Sequence, residues 1–249
     1  MALQLGRAIS NGIRRSLSPV GIALMGLTAL YVGIFTISVN TVVANQLPPA
    51  VRQQAQVGLA LPLSSAFAGI LALSALVFGM VIYIAAARAF TREGPDSGAI
   101  DGSLFTRRIG RTVVSAIGAN IIVGISTSIG LVLLVLPGIF LMVSFAFVLF
   151  VIAVEDARVI ESLRRSWGLA RGNRLRLAAL LLLIGVLTGL LSSLGSVVSI
   201  VNPAAGTVVS LLVTAPLAIV GYGIIADAYL QLRDADSDVG ESEAAVEGL

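Results

Sequence analysis

No cysteine, no histidine and no lysine occurs among the 249 residues. Without cysteine there is no disulfide, no thiolate nucleophile and no sulfur-ligated metal. Without histidine and lysine, the commonest general bases, Schiff-base formers and imidazole ligands are missing as well. Charge is scarce too. Only 12% of the residues are Asp, Glu, Lys or Arg, against roughly 25% in an ordinary soluble domain. These gaps argue against an enzyme, and no metal and no cofactor is expected. A chain so poor in charge cannot clothe a globule in polar surface, so the bilayer is the solvent it is built for.

What is present fits that solvent. Hydrophobic residues make up 57% of the chain, and the mean hydropathy is +1.01. All sixteen basic residues are arginine, and the C-terminal end carries Asp234, Asp236, Asp238, Glu241, Glu243 and Glu247. Arginine without lysine is the composition of a GC-rich genome. With the acidic tail it is equally that of a salt-loving archaeal protein, and both readings stay open. The arginines are spread along the edges of apolar runs rather than gathered on one soluble face, so nucleic acid is not an expected partner.

A helix needs about 20 apolar residues to cross the hydrocarbon core. Residues 20–39 and 61–87 meet this. Residues 113–154 carry no charge at all and are about twice the length of one span. Leu136-Pro137-Gly138 lies near their middle and reads as a tight turn, because proline disfavours helix in the residue before it. Two spans result, 113–135 and 139–156, the second with a re-entrant segment as its alternative. Spans 177–201 and 206–230 follow, separated by Asn202-Pro203. The expected fold is all-α: a single polytopic membrane domain over 1–233, six transmembrane helices arranged as three hairpins, then a disordered acidic tail over 234–249. Arg14-Arg15 before an apolar run also has the look of a twin-arginine signal. The run behind it exceeds the 7–15 residues of a signal core, so it is read as the first span.

Arginine placement sets the orientation. Fifteen of the sixteen arginines fall on one side of this threading and Arg52 alone on the other. Both termini are therefore expected in the cytoplasm, and the protein in the plasma membrane of its cell as a multi-pass protein.

Each hairpin is entered from a cytoplasmic segment with helical periodicity. Leu5, Ile9, Ile13 and Leu17 oppose Arg7, Arg14 and Arg15; Leu104, Phe105 and Ile109 oppose Arg107, Arg108 and Arg111. Before the fifth span, Ile160, Leu163, Trp167 and Ala170 oppose Arg158, Glu161, Arg164, Arg165 and Arg171. Such patterns describe amphipathic helices lying at the headgroup level, with arginine toward lipid phosphate and tryptophan at interface depth. Arg158, Arg164, Arg165, Trp167, Arg171 and Arg174 are accordingly the candidate residues contacting anionic lipid or a partner. Short soluble loop helices are the alternative.

The stretch "LPGIFLMVSFAFVLFVIAVED" followed by "ESLRRSWGLARGN" and another span resembles the YciC-like uncharacterised integral membrane proteins, and the related membrane domain of glycerophosphodiester phosphodiesterases, in an archaeal-type member. The matching positions are Leu136, Pro137, Gly138, Glu155, Ser162, Leu163, Ser166, Trp167 and Gly172, concentrated in residues 130–177. The resemblance implies a fold and a membrane address, and no reaction.

Ionisable residues inside the membrane are functional candidates by default. Arg88 and Asp227 sit at matching depth, about one turn inside their spans, and are expected to pair, or Asp227 to meet an arginine of the 155–176 segment; snorkelling to water is the alternative. Glu155 and Asp156 are adjacent, diverge on a helix and are expected to close the fourth span. Gly124/Ser128, Gly189/Ser193 and Gly195/Ser199 are small pairs four apart, suited to close helix packing. Asn120, Thr188, Asn202 and Thr214 are candidates to line a polar cavity. The function expected is non-enzymatic: envelope organisation or an accessory role, with an arginine-rich cytoplasmic face contacting anionic lipid headgroups, other membrane proteins or further copies of the chain. The alternative is a transporter or permease for a small molecule or lipid, with its site between hairpins.

Overall fold

The structure, a computed structural model, describes residues 3–48, 51, 58–92 and 101–247, with side chains to Ser237. Among these residues there is no strand. The helices run in the order α1 (Leu5–Ser16), α2 (Pro19–Gln46), α3 (Ser65–Phe90), α4 (Ser103–Thr106), α5 (Ile109–Leu133), α6 (Val135–Ser144), α7 (Val148–Val154), α8 (Val159–Ala170), α9 (Arg174–Val201) and α10 (Pro203–Glu247). Six segments are long and apolar enough to cross a membrane: α2, α3, α5, the α6–α7 pair through Glu155, α9, and α10 through Ser237. Their large side chains do not form one enclosed core. Only 11% of the most apolar window of α9 is buried, and Leu182, Leu190 and Val201 stand outward at 68%, 65% and 89% exposure. In water this would be an aggregating surface; against acyl chains it carries no penalty.

Two long spans begin with the same device. Pro19 and Pro203 are first helical residues, where the missing N–H costs nothing. The residue before each supplies a side-chain acceptor: Ser18 Oγ takes the Gly21 N–H at 3.2 Å and Asn202 Oδ1 takes the Ala205 N–H at 3.1 Å. Asn202 is thus committed to a helix end.

Three points qualify the expected fold. The turn between the third and fourth spans is at Leu134, whose backbone is extended (φ −159°, ψ 138°), not at Leu136–Gly138. Pro137 lies in the first turn of α6, where proline is tolerated for the same reason as at Pro19. Gly138 serves close approach: a Cβ there would meet the Leu131 backbone nitrogen at 2.7 Å, and one on Gly130 would meet the Gly138 Cα at 2.9 Å. The fourth span therefore starts at Val135 rather than 139. Second, α10 continues through the acidic segment to Glu247, where the sequence suggests a tail without helix. The segment contains no proline and is supplied with alanine and glutamate, both good helix formers.

Third, the contacts divide the chain into two compact units. The first comprises 1–21, 84–184 and 220–249; the second comprises 22–83 and 185–219. Arg52 is the only charged residue in the second unit's sequence. In that unit, Tyr31 meets Tyr83 edge-on with centroids 6.4 Å apart, and α9 approaches α10 through paired small residues. A Cβ on Gly195 would lie 2.9 Å from the Ser210 nitrogen, and one on Gly206 would lie 2.6 Å from the Ser199 Cα. Gly195-x-x-x-Ser199 therefore faces Gly206-x-x-x-Ser210. By contrast Gly124 and Gly189 have nothing within 4 Å, so those two small pairs do not mark helix contacts.

Candidate functional site

The first unit collects the arginines, and its buried polar groups explain which of them are free. α1 docks on α10 through small residues, not through its apolar stripe. Ala8, Gly12 and Ser16 are buried, and a Cβ on Gly12 would collide with the Ile224 backbone. Ile13 and Leu17 face outward at 40% and 61% exposure. The helix thus has a packed face of small residues and a separate, unpacked apolar face beside Arg7 and Arg14. A lipid surface has use for the second face only.

α8 follows the same rule. Its packed face is Ser162, Ser166, Leu169 and Ala170, while Ile160 and Trp167 are 57% and 37% exposed. Ser166 mends a break. Between α6 and α7 the helical ladder is interrupted at residues 145–147. The Ser166 hydroxyl donates to the Ser144 carbonyl at 3.0 Å and accepts the Phe147 N–H at 3.2 Å. An unsatisfied backbone group in hydrocarbon costs several kcal/mol, so a serine from a neighbouring helix makes the broken span tenable. Ser162 turns its hydroxyl to Val159 O, and Glu161 accepts the Arg158 N–H at the start of α8. Gly172, at φ +81°, makes the turn into α9, a left-handed conformation that glycine adopts without strain.

The expected Arg88–Asp227 pair does not form, and each has another partner. Arg88 is 8% exposed. Its Nε donates to Ala153 O at 2.9 Å, Nη1 to Leu104 O at 3.2 Å and Nη2 to Thr112 Oγ1 at 3.2 Å, with Asp156 at 4.0 Å. It holds the C-terminal end of α7 together with α3, α4 and α5. Asp227, 3% exposed, accepts from Asn11 at 3.2 Å and Gln231 at 2.8 Å and lies 3.7 Å from the Arg15 guanidinium. Arg15 also donates to Phe90 O. Matching depth along two spans says nothing of the direction in which each side chain leaves its helix, and here the directions differ. The alternative expectation, an arginine of residues 155–176 on Asp227, is not met either.

Glu155 and Asp156 do meet arginines. Glu155 accepts the Tyr229 hydroxyl at 2.7 Å and lies 3.7 Å from Arg165 Nε. Asp156, itself left-handed at φ +54°, pairs with Arg107 at 2.9 Å. Arg165 is further bound by Asp236 of α10. Burial alone would lower its pKa, but the Asp236 hydrogen bond and the Glu155 charge overcome that and raise it. Arg174 is stacked between two rings, 4.5 Å from the Phe140 centroid and 4.6 Å from that of Trp167, and Trp167 meets Phe140 edge-on.

Arg158, Arg164 and Arg171 remain. They are exposed and have no carboxylate partner among the described residues. Arg158, Arg164 and Arg165 line an open groove of about 640 Å³, together with Ile160, Glu161, Gly168 and Asp236. Of the six interface residues named from sequence, three are therefore free, Arg165 is engaged by carboxylates, and Trp167 and Arg174 support one another. Tyr229, Asn11 and Gln231 were not singled out from sequence, and Asp236 was named only as part of the acidic end. No group of three or more potential metal ligands occurs among the described residues.

A helical bundle with six membrane-length apolar helices, and with its charge gathered in one unit, defines a polytopic membrane protein. The chain belongs to the family described as a domain of unknown function, DUF7847, whose model matches residues 3–232. No curated protein matches the chain, and no solved structure does.

Proposed function

We propose that this is a non-enzymatic plasma-membrane protein, both termini cytoplasmic, whose arginine groove on α8 holds the phosphate of anionic lipid headgroups. The role would be envelope organisation or support of another membrane protein. One observation carries the reading: Arg158 and Arg164 are exposed and unpaired within one groove, directly beside the outward Ile160. An amphiphile with an anionic head and an apolar tail satisfies both chemistries at once. Kinship with the YciC-like membrane proteins rests on the sequence positions Pro137, Gly138, Glu155, Ser162, Ser166 and Gly172 alone.

The test is titration of detergent-solubilised protein with a short-chain phosphatidylglycerol. A triple Arg158→Gln, Arg164→Gln, Arg171→Gln variant should bind more weakly by on the order of 1 kcal/mol per arginine, with a reduced salt dependence. Phosphatidylcholine should bind neither protein appreciably. Equal affinity of variant and parent for the anionic lipid would sink the proposal.

A further inference from the structure

The second unit has no Asp, Glu or Arg among its described residues, yet polar side chains converge within it. Thr36 and Asn40 of α2, Ser199 of α9, and Thr207, Ser210 and Thr214 of α10 line one pocket of about 350 Å³. Residues 203 and 214 both border it, so along α10 it extends for eleven residues, about 16 Å at the helical rise. Serine and threonine also serve close packing between membrane helices, but here they border open space together with an asparagine.

Its wall includes backbone that is not helical. The segment after residue 58 is held by three side chains of α2: Asn40 Nδ2 donates to Leu59 O at 3.2 Å, Thr41 Oγ1 accepts the Leu61 N–H at 2.9 Å, and Asn45 Nδ2 donates to Leu63 O at 2.8 Å. Gly58 itself borders the pocket, and a Cβ there would lie 2.6 Å from Thr207 Oγ1 and 3.1 Å from Asn40 Nδ2. This segment joins α2 to α3 outside both membrane-length helices. Here any side chain at 58 would fill the pocket.

The direction of the hydrogen bonds specifies the ligand. Ser199 spends its hydroxyl proton on Gly195 O at 2.8 Å, and Thr207 spends its own on Pro203 O at 3.0 Å. Each of these two oxygens keeps its lone pairs and can accept, while Thr36, Ser210 and the Asn40 amide add groups that can donate, so the lining suits a solute with several hydroxyls. With no carboxylate or guanidinium among the described residues that line it, the lining offers no compensation for an ionic ligand. A hard cation needs oxygens gathered at roughly 2.3–2.6 Å around one point, and this space is far wider. We infer that the pocket binds a small uncharged polyhydroxy solute, which presents several O–H donors and carries no charge. This site is independent of the arginine groove and of the reading given to it.

The cysteine-free chain allows a direct test. Thr207→Cys in the otherwise intact protein is modified with a small neutral methanethiosulfonate, with glycerol and then erythritol as probes. The expected result is that modification slows about twofold at the half-saturating solute concentration, as mass action requires of a competitor. A cysteine at the outward Leu190 should be unaffected by the same solutes. Gly58→Val in the Thr207→Cys background should abolish solute protection. If Thr207→Cys fails to give a folded protein, Ser210→Cys is read in the same way. A rate at the pocket cysteine that neither polyol changes overturns the inference. Protection by sodium or potassium chloride without protection by the polyols overturns it as well, since that is the behaviour of a cation site.

Discussion

The two units solve the same problem with different chemistry. In the first, helices that break, begin or end inside the protein are tied by charged and hydroxyl side chains: Arg88 across the α7 end, Asp227 to α1, and Ser166 across the α6–α7 gap. In the second, long helices are brought together by pairs of small residues, and the one irregular segment is held by amides and a hydroxyl. The difference follows from what must be satisfied. Broken backbone leaves carbonyls and N–H groups that need strong partners, whereas continuous helices carry their hydrogen bonds internally, apart from the one Pro216 cannot donate in α10, and need mainly close approach.

That contrast can be broken experimentally, beginning with its strongest element. Replacing Arg88 by leucine leaves Asp156 without one of its cations and frees the Ala153 and Leu104 carbonyls. A loss of about 3–5 kcal/mol is expected, the usual consequence of removing one partner of a buried charged cluster. Reversible unfolding in mixed micelles measures it, and a loss below 1 kcal/mol would remove Arg88 from its central place. Gly206→Leu in the second unit drives a side chain into the Ser199 backbone and should cost about 1–3 kcal/mol by overpacking. In the same assay Gly189→Leu, at an unpacked position, should be close to neutral. If the two glycine variants behave alike, close approach is not what holds α9 to α10.

Ser166→Ala leaves one carbonyl and one N–H of the α6–α7 break unmet and should cost about 1–3 kcal/mol. Its particular signature is faster amide exchange at Phe147, which an ordinary cavity would not produce. The smallest effect expected is at Asp101, which is exposed. Hydrogen bonds from the Ser103 hydroxyl and backbone, with Arg92 beside them, hold its carboxyl below the ordinary 3.8. A depressed carboxylate contributes stability above its ordinary pKa and loses it as the pH falls through the lowered value. The difference in melting temperature between the parent and Ser103→Ala should therefore be present at neutral pH and vanish in acid. A difference that persists undiminished below pH 3.8 would show that the Ser103 contribution is not electrostatic.

Much of the fold was legible because hydropathy is a local quantity. Six runs of the right length appear as six membrane-length apolar segments, although Pro203, read from sequence only as a separator, begins the sixth. The arginine-bearing amphipathic segments were legible for the same reason. Periodicity misled about faces, however. In and beside α1 and α8, Ile13, Leu17 and Ile160 face outward, while Gly12, Ser16, Ser162 and Ser166 make the contacts. In a protein whose solvent is itself apolar, the largest side chains gain nothing by turning inward, and small residues that allow backbones to approach are the ones buried. Leu136-Pro137-Gly138 misled differently, since proline marks the first turn of a helix as readily as it marks a break.

The sequence by itself determined how many apolar spans there are and that charge is confined to a few segments, since each depends only on neighbouring residues. Tertiary structure alone decided that Arg88 holds the end of α7, that Asp227 belongs to α1, which arginines of α8 stay free, and that hydroxyls from α2, α9 and α10 share one pocket. Those outcomes depend on the direction in which each side chain leaves its helix and on which distant segment lies opposite. No local pattern contains that information.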